Sequence, residues 1–178
     1  ESLSEAGRAD VAYAMVDRSE FPGWGWMLEN GATTLWEHWA LDDNTFSHNH
    51  PMFGSVSAWF INWLGGIQPV FGGAGCDRVV IRPQAIAGLE WVRCAYDSVR
   101  GEIRSEWRRE GGVLRLDVEI PVGVEALVYV PGGAVELVTE GGNALSSAEG
   151  VEVVRVERGS VVCRVGSGRY SFAARGSR

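Results

Sequence analysis

One acidic side chain in this sequence has neighbours that suit it for chemistry. Glu37 stands between Trp36 and Trp39, with His38 beside it and threonines before it. Sugar rings stack on indole faces, and indoles also shield a carboxylate from water, which can tune it for general acid or base work. A structural interpretation competes, because Thr34 followed three residues later by Glu37 is also a capping box. The residues alone leave both interpretations open.

Two histidines lie a short way further along the chain. His48 and His50 flank Asn49, and an apolar stripe with helical spacing follows them. One interpretation is that His50 or Asn49 caps that helix. Another is that His50 hydrogen-bonds a polar ligand at the mouth of the helical part. The sequence alone does not choose between a cap and a ligand contact.

A metal site is the weaker alternative for the same region. His38, His48 and His50 lie close in sequence, with Asp42 and Asp43 between them. Metal sites need three or four ligands, and no spacing here matches a signature such as two histidines at i and i+4. We therefore predict neither a metal nor a cofactor, and a metal-binding helical fragment remains the third hypothesis.

The sequence around these residues predicts helices in the first third of the chain. A capping box at residues 2–5 is followed by helical spacing over residues 3–15. Residues 23–31 read as a loop, and a short helix is predicted to begin at Thr34. A clearer helix is predicted over residues 51–64, with Pro51 in its first turn and glycines at its end.

Past a glycine-rich stretch at residues 65–75 the hydrophobic period changes from 3.6 to 2. Turn signals separate short alternating segments, which indicates antiparallel strands in a β-sandwich with Greek-key connections. The chain thus divides near residue 70 into an α part and a β part. The predicted strands cover residues 78–82, 89–96, 102–107, 114–120, 126–130, 135–139, 151–156, 161–165 and 170–173.

Composition narrows the class of protein. The 178 residues carry a formal net charge of −7, and all 16 basic residues are arginine. An acidic chain without a basic stripe argues against nucleic acid and against an anionic membrane as partners. Three widely spaced cysteines fit neither a disulfide framework nor a zinc site, which favours a reducing compartment such as the cytoplasm. Localisation stays open, since a signal peptide would lie upstream of the given residues.

The distribution of tryptophan is uneven. Six of the eight tryptophans lie between Trp24 and Trp63, and all three histidines lie in the same window. Three helices with so many large apolar side chains cannot cover their own apolar faces. We therefore expect the α part to be one side of a larger helical assembly.

Several stretches of the chain resemble one known family. Residues 22–37 (PGWGWMLENGATTLWE) and 47–54 (SHNHPMFG) are similar to the end of the catalytic domain in bacterial α-L-rhamnosidases of glycoside hydrolase family 78. Residues 79–83 (VVIRP) and 95–107 (AYDSVRGEIRSEW) resemble that family's C-terminal β-sandwich. The resemblance runs in register from residue 1 to about residue 135.

The resemblance implies an α+β multi-domain architecture, in which residues 1–70 are the last helices of an (α/α)6 barrel and residues 71–178 an antiparallel Greek-key β-sandwich. It implies inverting hydrolysis of terminal α-L-rhamnose, which uses two carboxyl groups about 6.5–9.5 Å apart. By motif match, Glu37 is the general base, His50 contacts the sugar, and Trp36 and Trp39 help to form the wall of the −1 subsite.

The family's general acid lies earlier in the catalytic domain than any residue of this chain. We therefore expect a fragment, a cleaved piece or a truncated relative, with little or no activity unless the missing N-terminal part is its partner. A second function hypothesis is a binding module, in which the β-sandwich binds carbohydrate without catalysis or serves as structural support. Exposed aromatic side chains on one sheet face would favour sugar binding. The aromatic residues of this part are Trp91, Tyr96, Trp107, Tyr129, Tyr170 and Phe172. Alternation indicates that several of them point inward, which favours structural support over sugar binding.

Overall fold

The structure is a computed structural model that describes residues 1–40, 47–70 and 72–176. The chain divides into two compact units, Glu1–Phe60 and Ile61–Arg178. The first is helical and the second consists of β-strands after a helical entry. Within the described residues, no helix is both long enough and apolar enough to cross a membrane.

The first unit begins with two short helices in place of the single helix predicted over residues 3–15. Helix α1 covers Ser2–Glu5 and helix α2 covers Ala9–Val16. Gly7 separates them with φ +78°, a left-handed backbone that glycine adopts without strain. The predicted capping box at residues 2–5 is wrong, because the N-cap position is Glu1 and no side chain caps the helix.

Residues 23–31, predicted as a loop, contain helix α3 at Trp24–Glu29. The two glycines that suggested a loop serve close packing instead. A Cβ at Gly23 would lie 2.5 Å from the carbonyl oxygen of Arg18, and one at Gly25 would lie 2.8 Å from the same atom. Met27, only 2% exposed, anchors the buried side of α3.

The helix predicted over residues 51–64 is present as three consecutive turns of different pitch. A 3₁₀ turn at Pro51–Phe53 leads into α4 at Ser55–Trp59 and then into a π-helical segment at Phe60–Leu64. Gly66 ends the run at φ +75°, where a Cβ would lie 2.2 Å from the backbone nitrogen of Pro83. The predicted stop at glycine is confirmed.

The second unit contains two sheets. One has the strand order β1-β2-β6-β10-β9 and the other β3-β4-β5-β11-β7-β8. The strands are β1 Ile67–Pro69, β2 Arg78–Ile81, β3 Trp91–Ser98, β4 Gly101–Glu110, β5 Val113–Ile120, β6 Glu125–Pro131, β7 Val138–Glu140, β8 Asn143–Ala144, β9 Val151–Glu157, β10 Ser160–Val165 and β11 Gly168–Arg175.

The sheets are antiparallel apart from one pair among the described strands, because β2 runs parallel to β6. The strand predicted over residues 135–139 is a 3₁₀ turn at Val135–Leu137 followed by β7. Sequence reasoning missed β1 and β8, which have three and two residues and are too short to show an alternating pattern. The expected sandwich is confirmed, and the domain boundary near residue 70 stays a prediction.

The core of the second unit lies between its two sheets. Trp107 on β4 is 1% exposed, and its Nε1–H donates a hydrogen bond to the Leu64 carbonyl at 2.9 Å. Phe172 on β11 is fully buried in the same core. All three cysteines are free thiols, and burial raises the pKa of Cys163 to about 11.

Candidate active site

Two segments of the first unit that carry the predicted site residues lie side by side. The Glu37 N–H donates to the Ser47 carbonyl at 2.9 Å, and the His50 N–H donates to the Leu35 carbonyl at 2.8 Å. These backbone bonds hold residues 35–37 against residues 47–50. The structure therefore brings Glu37 and His50 onto one short stretch of paired backbone.

The helix predicted at Thr34 is absent from the described residues, and with it the capping-box interpretation. The Thr34 hydroxyl donates to the backbone carbonyl of His48 instead of capping a helix. The Glu37 carboxylate turns to the facing segment, where its Oε2 accepts a hydrogen bond from the Ser47 N–H at 3.0 Å. The capping-box interpretation of Glu37 is thus wrong, because the side chains of Thr34 and Glu37 both form hydrogen bonds with the paired segment.

The Glu37 carboxylate is held at one oxygen. A backbone N–H is a donor that cannot swing away, so the bond from Ser47 fixes the orientation of the carboxyl group. Within the described residues the other oxygen, Oε1, accepts no hydrogen bond, and the side chain is partly exposed. One oxygen is therefore available to a water or a ligand while the other positions the group.

His50 is the N-cap of the 3₁₀ turn that begins at Pro51. Its Nδ1 accepts a hydrogen bond from the Met52 N–H at 3.1 Å, so the predicted cap is confirmed. Because Nδ1 is the acceptor, the proton of the neutral ring lies on Nε2. The cap therefore makes Nε2–H a donor, and a cap and a ligand contact are compatible in one side chain.

Trp39 belongs to an aromatic cluster beside these segments. Its ring stacks on Phe53 with centroids 4.0 Å apart and an interplanar angle of 25°. Trp24 meets Trp39 edge-on at 5.0 Å, and its Nε1–H donates to the Phe53 carbonyl at 3.3 Å. Trp39 itself is half-buried. The cluster fixes the orientation of the Trp39 ring and leaves part of that ring uncovered.

Trp36 is placed differently, with only 4% of its surface exposed. Its ring lies 6.1 Å from that of Trp26 and 5.7 Å from that of His48. The predicted sugar contact through Trp36 stays a prediction, and this burial favours a supporting role behind the site. The Nε2 atom of His48 is buried and has no hydrogen-bond partner in the described part of the chain.

The metal hypothesis receives no support from the described residues. No group of three or more histidine, cysteine, aspartate or glutamate side chains among them could hold an ion. His38, His48 and His50 therefore form no such cluster there. Asp42 and Asp43 lie outside the described residues, so their part in that hypothesis is not addressed.

The first unit exposes many large apolar side chains. Leu28 is 69% exposed, Met52 62% and Met15 55%. A cleft of about 500 Å³ runs among α2, α3 and α4, and its lining includes Tyr13, Trp24, Met27, Leu28, Val56 and Phe60. So much exposed apolar surface on one compact unit is typical of a face that another element covers.

Sequence reasoning missed Ser47 and Phe53 as parts of the site. Ser47 acts through its backbone N–H, a group that every residue except proline has, so its residue type gave no signal. Phe53 follows His50 at helical spacing and reads as an ordinary core position. The local signal for both was only that they fall within the SHNHPMFG stretch.

Two models of known protein families match this chain. Residues 1–64 match the family model described as the bacterial α-L-rhamnosidase 6 hairpin glycosidase domain, and residues 66–145 match the bacterial α-L-rhamnosidase C-terminal domain. Together the two matches take in most of the chain. The chain belongs to the bacterial α-L-rhamnosidase family, and its resemblance is to the end of the helical barrel together with the C-terminal β-sandwich.

The individual relatives that the chain matches are α-L-rhamnosidases as well. The chain is 32% identical over 178 residues to an α-L-rhamnosidase of Streptomyces avermitilis, covering 96% of this chain and 16% of that protein. The structure matches that of the α-L-rhamnosidase from Dictyoglumus thermophilum with a TM-score of 0.84 and 34% identity, covering 96% of this chain and 19% of that one.

The Streptomyces avermitilis enzyme complexed with L-rhamnose matches with a TM-score of 0.85 and 30% identity, covering 97% of this chain and 17% of that one. The chain thus spans less than a fifth of the length of these relatives.

Proposed function

We propose that this chain carries the general-base side of an inverting α-L-rhamnosidase site. The observation that carries the proposal is the Glu37 carboxylate, held at Oε2 by the Ser47 N–H on a segment that is paired with the one bearing His50. The family of the chain supplies the reaction class. Glu37, His50 and Trp39 supply the chemistry on this side of the sugar.

Glu37 is the general base of the proposal. Inversion requires a carboxylate that takes a proton from water while the water attacks the anomeric carbon from the face opposite the leaving group. Oε1, which accepts no hydrogen bond from the described residues, can accept that proton, because the Ser47 N–H holds Oε2 and keeps the group from rotating. The carboxylate is then oriented before the substrate arrives.

His50 and Trp39 are the sugar contacts of the proposal. The His50 Nε2–H is a neutral donor, set by the cap bond at Nδ1, and suits a hydroxyl oxygen of rhamnose. The Trp39 ring, fixed by its stack on Phe53, offers an apolar wall for the C–H face of the sugar. Trp36 supports this wall from behind in the proposal, packed against His48.

In the proposal, the general acid lies in a part of the enzyme outside this chain. Protonation of the leaving oxygen needs a second carboxyl group. In the proposal this group belongs to earlier helices of the six-hairpin barrel. Those helices would also cover the exposed apolar face that includes Leu28 and Met15. The substrate is a glycoside with a terminal α-L-rhamnose, and the chain alone is expected to hydrolyse it slowly or not at all.

The direct test is an aryl α-L-rhamnoside assay on two proteins. The chain alone should show no turnover above background, and a protein that joins it to the preceding helices of a six-hairpin domain should be active. Turnover by the chain alone at the rate of the longer protein, abolished by Glu37→Gln, would contradict the missing-acid part of the proposal.

His50→Ala in the longer protein is expected to lower kcat/KM roughly 2- to 13-fold, the value of a lost neutral hydrogen bond of about 0.5–1.5 kcal/mol in the transition state. Steady-state kinetics with the aryl rhamnoside measures it. His50→Asn is the matched control, because Asn keeps an N-cap acceptor for Met52 but is too short to reach the sugar. Full activity of His50→Asn would show that His50 acts only as a cap.

Leu28→Asp in the chain alone is expected to reduce the fluorescence of a bound hydrophobic dye such as anilinonaphthalene sulfonate, because it removes the most exposed leucine of the apolar face. Leu137→Asp, at a 45% exposed leucine of the second unit, is the control and should change little. In the longer protein Leu28→Asp should instead destabilise, by burying a carboxyl group. Equal stability of that variant and the parent would contradict a covered face.

A further inference from the structure

One aromatic side chain of the second unit stands apart from the others. Trp91 begins the edge strand β3 and is 61% exposed, whereas Trp107 and Phe172 are buried. Leaving an indole in water forgoes the stabilisation that burying a large apolar side chain provides. A side chain in this position at the open edge of a sheet is available to a ligand.

The charged residues around Trp91 are held in ion pairs of opposite charge. Arg93 lies on the same face of β3, with its guanidinium 5.5 Å from the indole centroid, and pairs with Glu106 at 3.5 Å. Arg108 is the cross-strand partner of Trp91, and its guanidinium pairs with Glu110 at 3.1 Å. Each arginine beside the indole therefore already has a carboxylate partner, so the surface presents oriented donors and acceptors.

This surface borders a cleft of about 490 Å³, a size that suits a small ligand. Its lining includes Glu90, Trp91, Arg93, Glu106, Arg108 and Glu110. Planar carboxylates and guanidinium groups next to an exposed indole suit a sugar as the ligand. Its hydroxyls can form hydrogen bonds with the ion-paired groups, and its C–H face can stack on the indole. A charged ligand would have to break existing pairs.

We propose that this cleft at the β3–β4 edge is a binding site for a neutral sugar residue, with Trp91 as its stacking platform and Glu106 and Arg108 as hydroxyl partners. The site lies wholly in the second unit and uses neither Glu37 nor His50. It gives the β-sandwich a glycan-holding role that is independent of the proposed hydrolytic site.

The test is a nuclear magnetic resonance titration of the full chain labelled with ¹⁵N, following the tryptophan indole signals. L-rhamnose and rutinose, a neutral disaccharide that ends in rhamnose, are the probes. The Trp91 indole signal, assigned by its loss in Trp91→Phe, should shift with saturable dependence on sugar. In Trp91→Ala the binding followed through neighbouring backbone amides should weaken at least tenfold. Sodium glucuronate should shift these signals less than the neutral probes.

Two controls keep the outcomes separate. Tyr96→Ala removes a 43% exposed aromatic from the opposite side of the same strand and should leave sugar binding unchanged. The double variant Glu37→Gln/His50→Ala should also leave the Trp91 shifts unchanged, so failure of the hydrolytic proposal does not touch this one. No Trp91 shift with either sugar, binding that survives Trp91→Ala, or shifts that depend only on protein concentration would each overturn the proposal.

Discussion

Glu37→Gln is expected to lower kcat for an aryl α-L-rhamnoside by about 10²–10⁴-fold, in a protein that joins this chain to the preceding helices of a six-hairpin domain. Glutamine keeps the size of the side chain and can still accept from the Ser47 N–H, but it cannot take a proton from water. The loss should therefore appear in kcat with little change in KM. Glu29→Gln, at an exposed carboxylate of the same unit, is the matched control.

A second variant separates a base from a merely structural carboxylate. In Glu37→Ala the space of the side chain is open, and azide needs no base to attack the anomeric carbon as the glycosidic bond breaks. Added azide should restore turnover and yield the rhamnosyl azide of inverted configuration, which product analysis identifies. Absence of rescue together with near-normal activity of Glu37→Gln would assign the base to another residue.

Trp107→Ala is expected to destabilise the second unit by about 3–5 kcal/mol, the usual cost of truncating a buried aromatic side chain. The indole is 1% exposed, and the substitution also removes the hydrogen bond to the Leu64 carbonyl. Urea unfolding followed by circular dichroism measures the free energy of unfolding. A loss of this size is at least a fifth of the about 5–15 kcal/mol of a typical domain.

Trp107 has two matched controls. Trp107→Phe keeps an aromatic ring in the core but leaves the Leu64 carbonyl without its donor, so about 1–3 kcal/mol should be lost. Trp91→Ala removes the same side chain from the neighbouring strand, where it is 61% exposed, and should change stability by less than about 0.5 kcal/mol. Equal losses for Trp107→Ala and Trp91→Ala would contradict the buried position of Trp107.

The second unit was largely predictable from the sequence because its strands obey one rule. Residues 114–120 alternate buried apolar side chains with charged ones that are exposed or half-buried, and period 2 requires a strand with one covered face. The parallel pairing of β2 with β6 could not be read in this way, since alternation fixes the faces of a strand and not its direction. Strand order depends on contacts distant in sequence.

The first unit was harder to predict because its local signals conflict. Gly23 and Gly25 look like loop residues, yet they are glycines because the backbone of Arg18 passes too close for a Cβ. Thr34 and Glu37 have capping-box spacing, yet both bond to the paired segment across from them. In each case a contact with backbone outside the local segment overrode the local preference. The resemblance predicts Glu37 and His50 as site residues without this knowledge, and that assignment stays a prediction.

The backbone pairing around Glu37 and His50 also bears on which substitutions the candidate site tolerates. The bonds at Leu35–His50 and Glu37–Ser47 join main-chain N–H and C=O groups only. A change of side chain at Leu35 or Ser47 leaves those donors and acceptors in place. The positions of the two proposed site residues therefore depend little on the identity of the side chains that flank them.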